Sequence, residues 1–536
     1  MFYHYGSFGQ TVIVLVTLVF VYFMIPYLLD PYNYRRRFSG PWLAALTNSW
    51  LSWVNHAEKR SHVIHALHER YGKFVRIGPD HISIADPTAL EAVYGHGNGL
   101  PKSDSYKGFE VGGPNMFTTR DKADHSARRR RVAHVFSQQS VAGFEPRVRR
   151  YIRQLCEQWD KRCDASAHGD SGPNWDAKNG RAILDSAHQF SYLLYDTIGD
   201  LALGTPFGMI EAQKDAAPIA QSFAADQAEA LSTVDLPVMH ILDVSERSFV
   251  TLAPYPGWIQ DMLRAAPWNF KNMKAQFNLF GVTLAAASRR IRLGSQIDND
   301  ELMSEKASAD MIGKLMEVHD GDGMPLSNEI IMAEASLMLV AGTDTTSNAT
   351  FYYIAKHRHV QQRLQEELDA NLPHLSDGDD VVTKLEQVKS LPYLEACINE
   401  SFRLHPPICQ GLPRIVPPGK TVVVAGEVFH PGSVVSVPIY TTNRSSLFGP
   451  DADEFRPERW LEDEAGVMNK YSVPFSIGSR ACIGRNVAMM NLLVTISTIF
   501  RRYDVELADP TDEVSICVII NCISLIHLDF AEDAHA

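Results

Sequence analysis

From about residue 120 to residue 400 the chain repeats apolar positions at helical spacing, most plainly over Ala187–Leu203 and from Asn328 to about Tyr353, and no Gly/Ser-rich linker interrupts it. Helices in such number must bury their apolar stripes against one another, so the bulk of the fold is helix packed on helix. Strand patterns flank this block. KFVRI (Lys73–Ile77) and HISIA (His81–Ala85) alternate around the turn Gly78-Pro79-Asp80. Beyond Arg403, Pro406-Pro407 and Pro417-Pro418-Gly419 punctuate the chain, and TVVVAGEVF and SVVSVPIY read as short strands. The expected fold class is mainly α, an α+β arrangement with segregated helices and small sheets at both ends. Its 536 residues are 45% hydrophobic and show no repeat, which favours one large catalytic domain over residues 35–536.

The N-terminal end is different. Thr11–Leu29 (TVIVLVTLVFVYFMIPYLL) carries no charge and is interrupted only by Pro26. As a helix it is long enough to cross a bilayer core of about 30 Å. The basic cluster Arg35-Arg36-Arg37 follows the run, whereas a cleaved signal peptide carries its charges ahead of a shorter one. Residues 1–34 are therefore expected to be a membrane anchor with a transmembrane helix at about 11–29, and the positive flank predicts a cytoplasmic catalytic domain. The seven cysteines (156, 163, 397, 409, 482, 517, 522) form no CxxC pair, which fits reduced thiols. A net charge of −13 argues against general nucleic-acid binding. His62, His65 and His68 cannot converge on one metal ion from a helix, and a solvated face is the expected account.

One cysteine has unusual company. In Phe475-Ser476-Ile477-Gly478-Ser479-Arg480-Ala481-Cys482-Ile483-Gly484 it lies between two glycines, on a loop leading into the apolar helical run Val487–Phe500. Glycines permit positive φ and close approach of backbone to a flat ligand. A thiol just ahead of a helix N-terminus is expected to have a lowered pKa and to serve as an anionic ligand. A lone cysteine is more often inert packing, so the spacing around it decides.

The pattern FxxGxRxCxG, at Phe475, Gly478, Arg480, Cys482 and Gly484, resembles the haem-binding loop of the cytochrome P450 family, and three further motifs follow suit. Glu400-Ser401-Phe402-Arg403 matches that family's ExxR, and Phe455-Arg456-Pro457-Glu458-Arg459-Trp460 resembles its PERF/PERW segment. The resemblance implies that Glu400, Arg403 and Arg459 form a structural ion network. Ala341-Gly342-Thr343-Asp344-Thr345-Thr346 resembles the distal motif that opens a helix over the haem, which implies proton delivery by Asp344 and Thr345. His125 and Arg129 in DHSARRRR, Arg414 in GLPR, and Arg480 fall where the family binds the haem propionates. Arg128, Arg130 and Arg131 are expected on a solvated basic face that could dock an acidic reductase.

Four stretches resemble the fungal benzoate 4-monooxygenase group more closely than other P450s: KFVRIGPDHISIADPTALEAVYGHGNGLPKSDSY, FTTRDKADHSARRRRVAHVFS, DTIGDLALGTPFGM and SVVSVPIYTTNR. Two places depart from the family. The chain is about three residues short between Asn348 and Lys356, and the tail after Val514 lacks the usual ending, which borders the substrate pocket. The resemblance implies haem b bound through Cys482, a monooxygenase fed by NADPH through a cytochrome P450 reductase, and a single-pass location in the endoplasmic reticulum membrane. It implies a small organic substrate, with para-hydroxylation of benzoate or a related acid leading. A secondary-metabolite tailoring enzyme that hydroxylates or couples a polyketide or phenolic is the alternative. A non-catalytic haem sensor is the reading from another class, and Asp344 with Thr345 disfavours it.

Overall fold

In the computed structural model the described residues are 27–97, 99–110, 112–220, 232–296, 310–319, 324–343, 348–374, 379–463, 465–509 and 517–522, with scattered positions before residue 27. The helical block forms as its spacing dictates. Its longer helices are α1 (Ser49–His56), α2 (Arg60–Tyr71), α3 (Lys122–Val132), α4 (Gln138–Ala167), α5 (Ser186–Leu203), α6 (Val238–Leu252), α7 (Gly257–Arg264) and α8 (Phe270–Gln296). They continue with α9 (Asn328–Thr343), α10 (Asn348–Lys356), α11 (Arg358–Asn371), α12 (Pro392–Leu404) and α13 (Arg485–Arg502).

Helix α4 starts where the Ser137 hydroxyl accepts from the Ser140 N–H at 3.3 Å, and it buries Val148, Ile152, Leu155 and Trp159 along one stripe. Helix α5 is capped by Asp185, which accepts from the N–H of Ala187 at 2.9 Å, and it stops at Gly204, whose φ of 65° suits a glycine. The Trp159 indole meets Phe190, Phe351 and Tyr503 edge-on, which ties α4, α5 and α10 into one core with the strand beyond α13. The single helix expected from Asn328 to Tyr353 is described as α9 and α10, and residues 344–347 between them lie outside the described residues.

The strands are β1 (Phe74–Arg76), β2 (His81–Ile84), β3 (Trp175–Lys178), β4 (Arg181–Asp185), β5 (Ala217–Ala220), β6 (Thr233–Leu236), β7 (Arg414–Ile415), β8 (Val422–Val424), β9 (Glu427–Phe429), β10 (Val434–Ser436), β11 (Tyr503–Leu507) and β12 (Cys517–Cys522). The two patches expected at opposite ends of the sequence form one sheet, in the order β1-β2-β10-β7. Its central pair is parallel, with His81 opposite Val434 and Ser83 opposite Ser436. The segment TVVVAGEVF is a hairpin, because Ala425 and Gly426 take φ of 50° and 89° and turn the chain back between β8 and β9. In SVVSVPIY the strand ends before Pro438, and Ile439–Thr442 is a helical turn. A second sheet runs β11-β12-β4-β3, so the atypical tail supplies one of its inner strands. Helix α2 packs on β1, which buries His68 between Gly72 O at 2.9 Å and Ser83 Oγ at 2.8 Å; the solvated face expected there holds for His62 alone.

The expected transmembrane helix at 11–29 falls partly outside the described residues. Among the described residues no helix is long and apolar enough to cross a membrane.

Candidate functional site

The cysteine loop is held from within. The Cys482 N–H donates to Phe475 O at 2.8 Å, and the Phe475 ring packs edge-on against Phe402 of α12, with centroids 5.5 Å apart. Gly478 takes φ of 75°, and a Cβ there would sit 2.1 Å from Tyr94 O, so both conformation and packing require glycine. Gly484 differs from expectation: its φ is −80°, and it serves as the N-cap of α13, while Ser476 takes the second left-handed position at 57°. Cys482 as a residue is exposed, yet desolvation by the surrounding protein raises its thiol pKa above the ordinary value. The lowering expected at a helix start is present as the opposing contribution, from the N–H groups of Gly484 and Arg485 and the cations Arg129 and Arg485.

Basic side chains gather beside this loop. Arg129 of α3 donates to Ala481 O at 2.7 Å, next to the sulfur, so its described bond is to the cysteine loop itself. Arg480 reaches back to the start of α3, donating to Thr119 O at 2.8 Å and Asp121 O at 3.2 Å. Arg414 of β7 is 2% exposed and donates to the Tyr106 hydroxyl at 2.7 Å. His125, one turn before Arg129, is buried, and desolvation together with Arg480, Lys102 and Arg129 lowers its pKa to about 4.

Lys102 joins this set without having been expected in it. It pairs with Arg414 in an isolated bridge, donates to Phe117 O and lies against the rings of Tyr106 and Phe117. Burial, then Arg414 and Arg480, pushes its pKa well below the ordinary lysine value. Among the described residues no carboxylate forms an ion pair with Lys102, Arg414 or Arg480. Two buried cations with a partly buried third and no carboxylate paired to them are unfavourable alone, and a dianionic ligand edge would balance them. The donor set fits a haem: one thiol ligand, and a cationic cluster for two propionates.

Glu400 lies at the centre of a second cluster. Its carboxylate accepts from Arg403 Nε and Nη2 at 2.8 Å each, from Arg459 Nε at 2.9 Å, from Trp460 Nε1 at 2.9 Å and from the Arg456 N–H at 2.9 Å. Arg403 and Arg459 spend their other donors on carbonyls of the segment 443–454, and Arg459 also pairs with the Asp451 carboxylate at 3.0 Å. This brings Glu400, Arg403 and Arg459 together as a buried brace behind the cysteine loop. Arg128 departs from the expected solvated face, because Asp124 at 3.0 Å and Glu334 of α9 at 3.1 Å hold it in an ion pair that ties α3 to α9.

Asp344 and Thr345 lie outside the described residues. Just before them, Gly342 lets α9 approach α5 closely, since a Cβ there would meet Ile198 Cδ1 at 2.8 Å. Val340 and Ala341 line a cavity of about 410 Å³, whose wall also includes Phe109, Phe117, Phe249 and Arg60. That volume is in the range of small-molecule sites.

The cytochrome P450 family model matches residues 41–518. Benzoate 4-monooxygenase of Aspergillus niger is 37% identical over 92% of this chain and 91% of its own length. Tryprostatin B 6-hydroxylase of Aspergillus fumigatus is 28% identical over 89% of this chain and 76% of its own. Pisatin demethylase of Fusarium vanettenii is 28% identical over 88% and 85%. With the family model spanning most of its length and the cysteine loop, cationic cluster and buried brace assembled around one place, the chain belongs to the cytochrome P450 family.

Proposed function

We propose that this cytochrome P450 monooxygenase hydroxylates an aromatic carboxylic acid, with benzoate at the para position as the leading substrate. As a member of the family it takes a haem, a redox partner and a small-molecule substrate. The observation that carries the substrate class is the 37% identity to a benzoate 4-monooxygenase across 92% of the chain. When bound, the haem supplies the oxygen activation, by which one atom of dioxygen enters the substrate and the other leaves as water after two electrons and two protons are taken up.

In this reading Cys482 would hold the haem iron as a thiolate, and the N–H groups of Gly484 and Arg485 with the Arg129 guanidinium would favour its charge. Lys102, His125, Arg414 and Arg480 would hold the propionates. Asp344 and Thr345 come three and four residues after the cavity-lining Ala341 in sequence and would supply protons for the reaction. Electrons come from NADPH through a cytochrome P450 reductase. Residues 1–34 anchor the protein in the endoplasmic reticulum membrane, with the catalytic domain on the cytoplasmic side. The charge-free run Thr11–Leu29 and the exposed rings of Trp42, Trp53, Trp258, Trp268 and Phe270 support that placement, since indole rings favour membrane interfaces.

A tailoring role on a larger secondary metabolite is the second reading, favoured by the likeness to tryprostatin B 6-hydroxylase and pisatin demethylase. Spectral titration of the purified holoenzyme with benzoate, substituted benzoates and a panel of phenolics tests both, with product analysis after NADPH-driven turnover. A high-spin shift and a para-hydroxylated product with benzoate bear out the first reading. Shifts confined to larger phenolics replace it with the second.

A further inference from the structure

A benzoate site needs a group that takes the carboxylate out of water, because an acid buried in an apolar cavity without a donor would be protonated or expelled. Among the residues lining the 410 Å³ cavity, one side chain stands out for that task. Arg60, the first residue of α2, lies in the wall together with Phe109, Phe117 and Phe249 and with Val340 and Ala341 of α9. Its described side-chain hydrogen bond is a long one, 3.4 Å to Asn55 Oδ1. Among the described residues no carboxylate forms an ion pair with it. Three carboxylates share the wall, Asp80, Asp104 and Glu246; Asp104 is bonded to Arg120, and desolvation raises the Asp80 pKa to about 6. His81, the other basic side chain of the lining, is neutral, since burial and the nearby Arg60 lower its pKa to about 3. Desolvation lowers the pKa of Arg60 only to about 10, so its charge persists at neutral pH. Guanidinium groups match carboxylates with two parallel N–H donors.

We propose that Arg60 is the substrate-recognition residue of the cavity: it binds the carboxylate of an aromatic acid whose ring extends toward Ala341, so that the carbon remote from the acid group is presented for oxidation. The assignment rests on the reading of the substrate as an aromatic acid. It names the anchoring group and makes regiochemistry a consequence of where the acid is held.

The test uses the haem-loaded full chain, its reduced-CO band at about 450 nm serving as the check on folding. Benzoate, 3-phenylpropionate and the neutral ester methyl benzoate are titrated into the wild type, Arg60→Lys and Arg60→Met. Loss of a charge-assisted hydrogen bond predicts a roughly 10- to 100-fold weaker Kd for both acids in Arg60→Met, with an intermediate value in Arg60→Lys and the ester changed by less than about 3-fold. If Arg60→Met loses the CO band, Arg60→Gln is read in its place. Acids that bind wild type and Arg60→Met equally overturn the role of Arg60 and leave the substrate class standing. A wild type that shifts with the ester or phenolics but with neither acid overturns the substrate class and the assignment together.

Discussion

Beside Cys482 the fold gathers cations from separate stretches of the chain, Lys102, Arg129 and Arg414, with Arg480 of its own loop. Lys102 and Arg414 are buried, whereas Arg480 remains partly exposed, and their bonds are to carbonyls and a tyrosine hydroxyl. Cys482→Ser is predicted to abolish the reduced-CO band at about 450 nm, and an unchanged band would remove the ligand assignment. Lys102→Met is predicted to lower haem retention after gel filtration relative to the wild type, and full retention would exclude a propionate role. Thr345→Ala is expected to keep the haem and to divert reducing equivalents to peroxide, so coupled hydroxylation in that variant would end the proton-delivery proposal. The motif spacing marked Cys482, Arg480 and Arg129 in advance. Lys102 and Arg60 carried no such mark, because a cation becomes informative only when no described carboxylate pairs with it, and that is a property of the fold.

At the scale of elements, α12 is fixed by one carboxylate. Glu400 satisfies two guanidiniums, an indole and a backbone N–H, all buried. Glu400→Ala leaves Arg403 buried without its counter-charge, while Arg459 keeps Asp451 at 3.0 Å; the loss is about 3–5 kcal/mol, and the expected outcome in thermal melts is failure to accumulate folded holoenzyme. A milder prediction concerns α2 and β2. His68 donates through Nδ1 to Gly72 O and therefore accepts at Nε2 from Ser83, a neutral ring whose pKa burial lowers from 6.5 to about 4. The unfolded chain takes up this proton first, so stability is lost as pH falls from about 6.5 to about 4. His68→Gln should have a Tm that depends less on pH across that window than the wild type, and identical slopes would refute the assignment. The ExxR spacing made Glu400 and Arg403 legible as one helical face. It could not show Trp460 Nε1 or the Arg456 N–H converging on the same oxygens, since those arrive from a segment about 56 residues away.

Across the whole molecule, β2 and β10 come from opposite ends of the chain and pair in parallel within one sheet. Removing residues 1–29, which keeps Asp30 and the buried Tyr34, is predicted to release the enzyme from membranes while leaving the benzoate-induced spectral shift within about 3-fold of its wild-type Kd. Loss of that shift would place the anchor within the folded unit. The linear order of residues was enough to establish a mainly helical chain, the loop around Cys482, the charged face of α12 and the family, because periodicity and motif spacing are local properties that any fold must respect. The union of the two strand regions, the hairpin at Ala425-Gly426, the burial of His68, the capture of Arg128 by Glu334, and the placing of Lys102 beside Arg414 and of Arg60 in the cavity wall were decided only by tertiary structure. Each depends on which distant groups share a place and which are left without a partner, and burial and unpaired charge exist only once the chain has closed on itself.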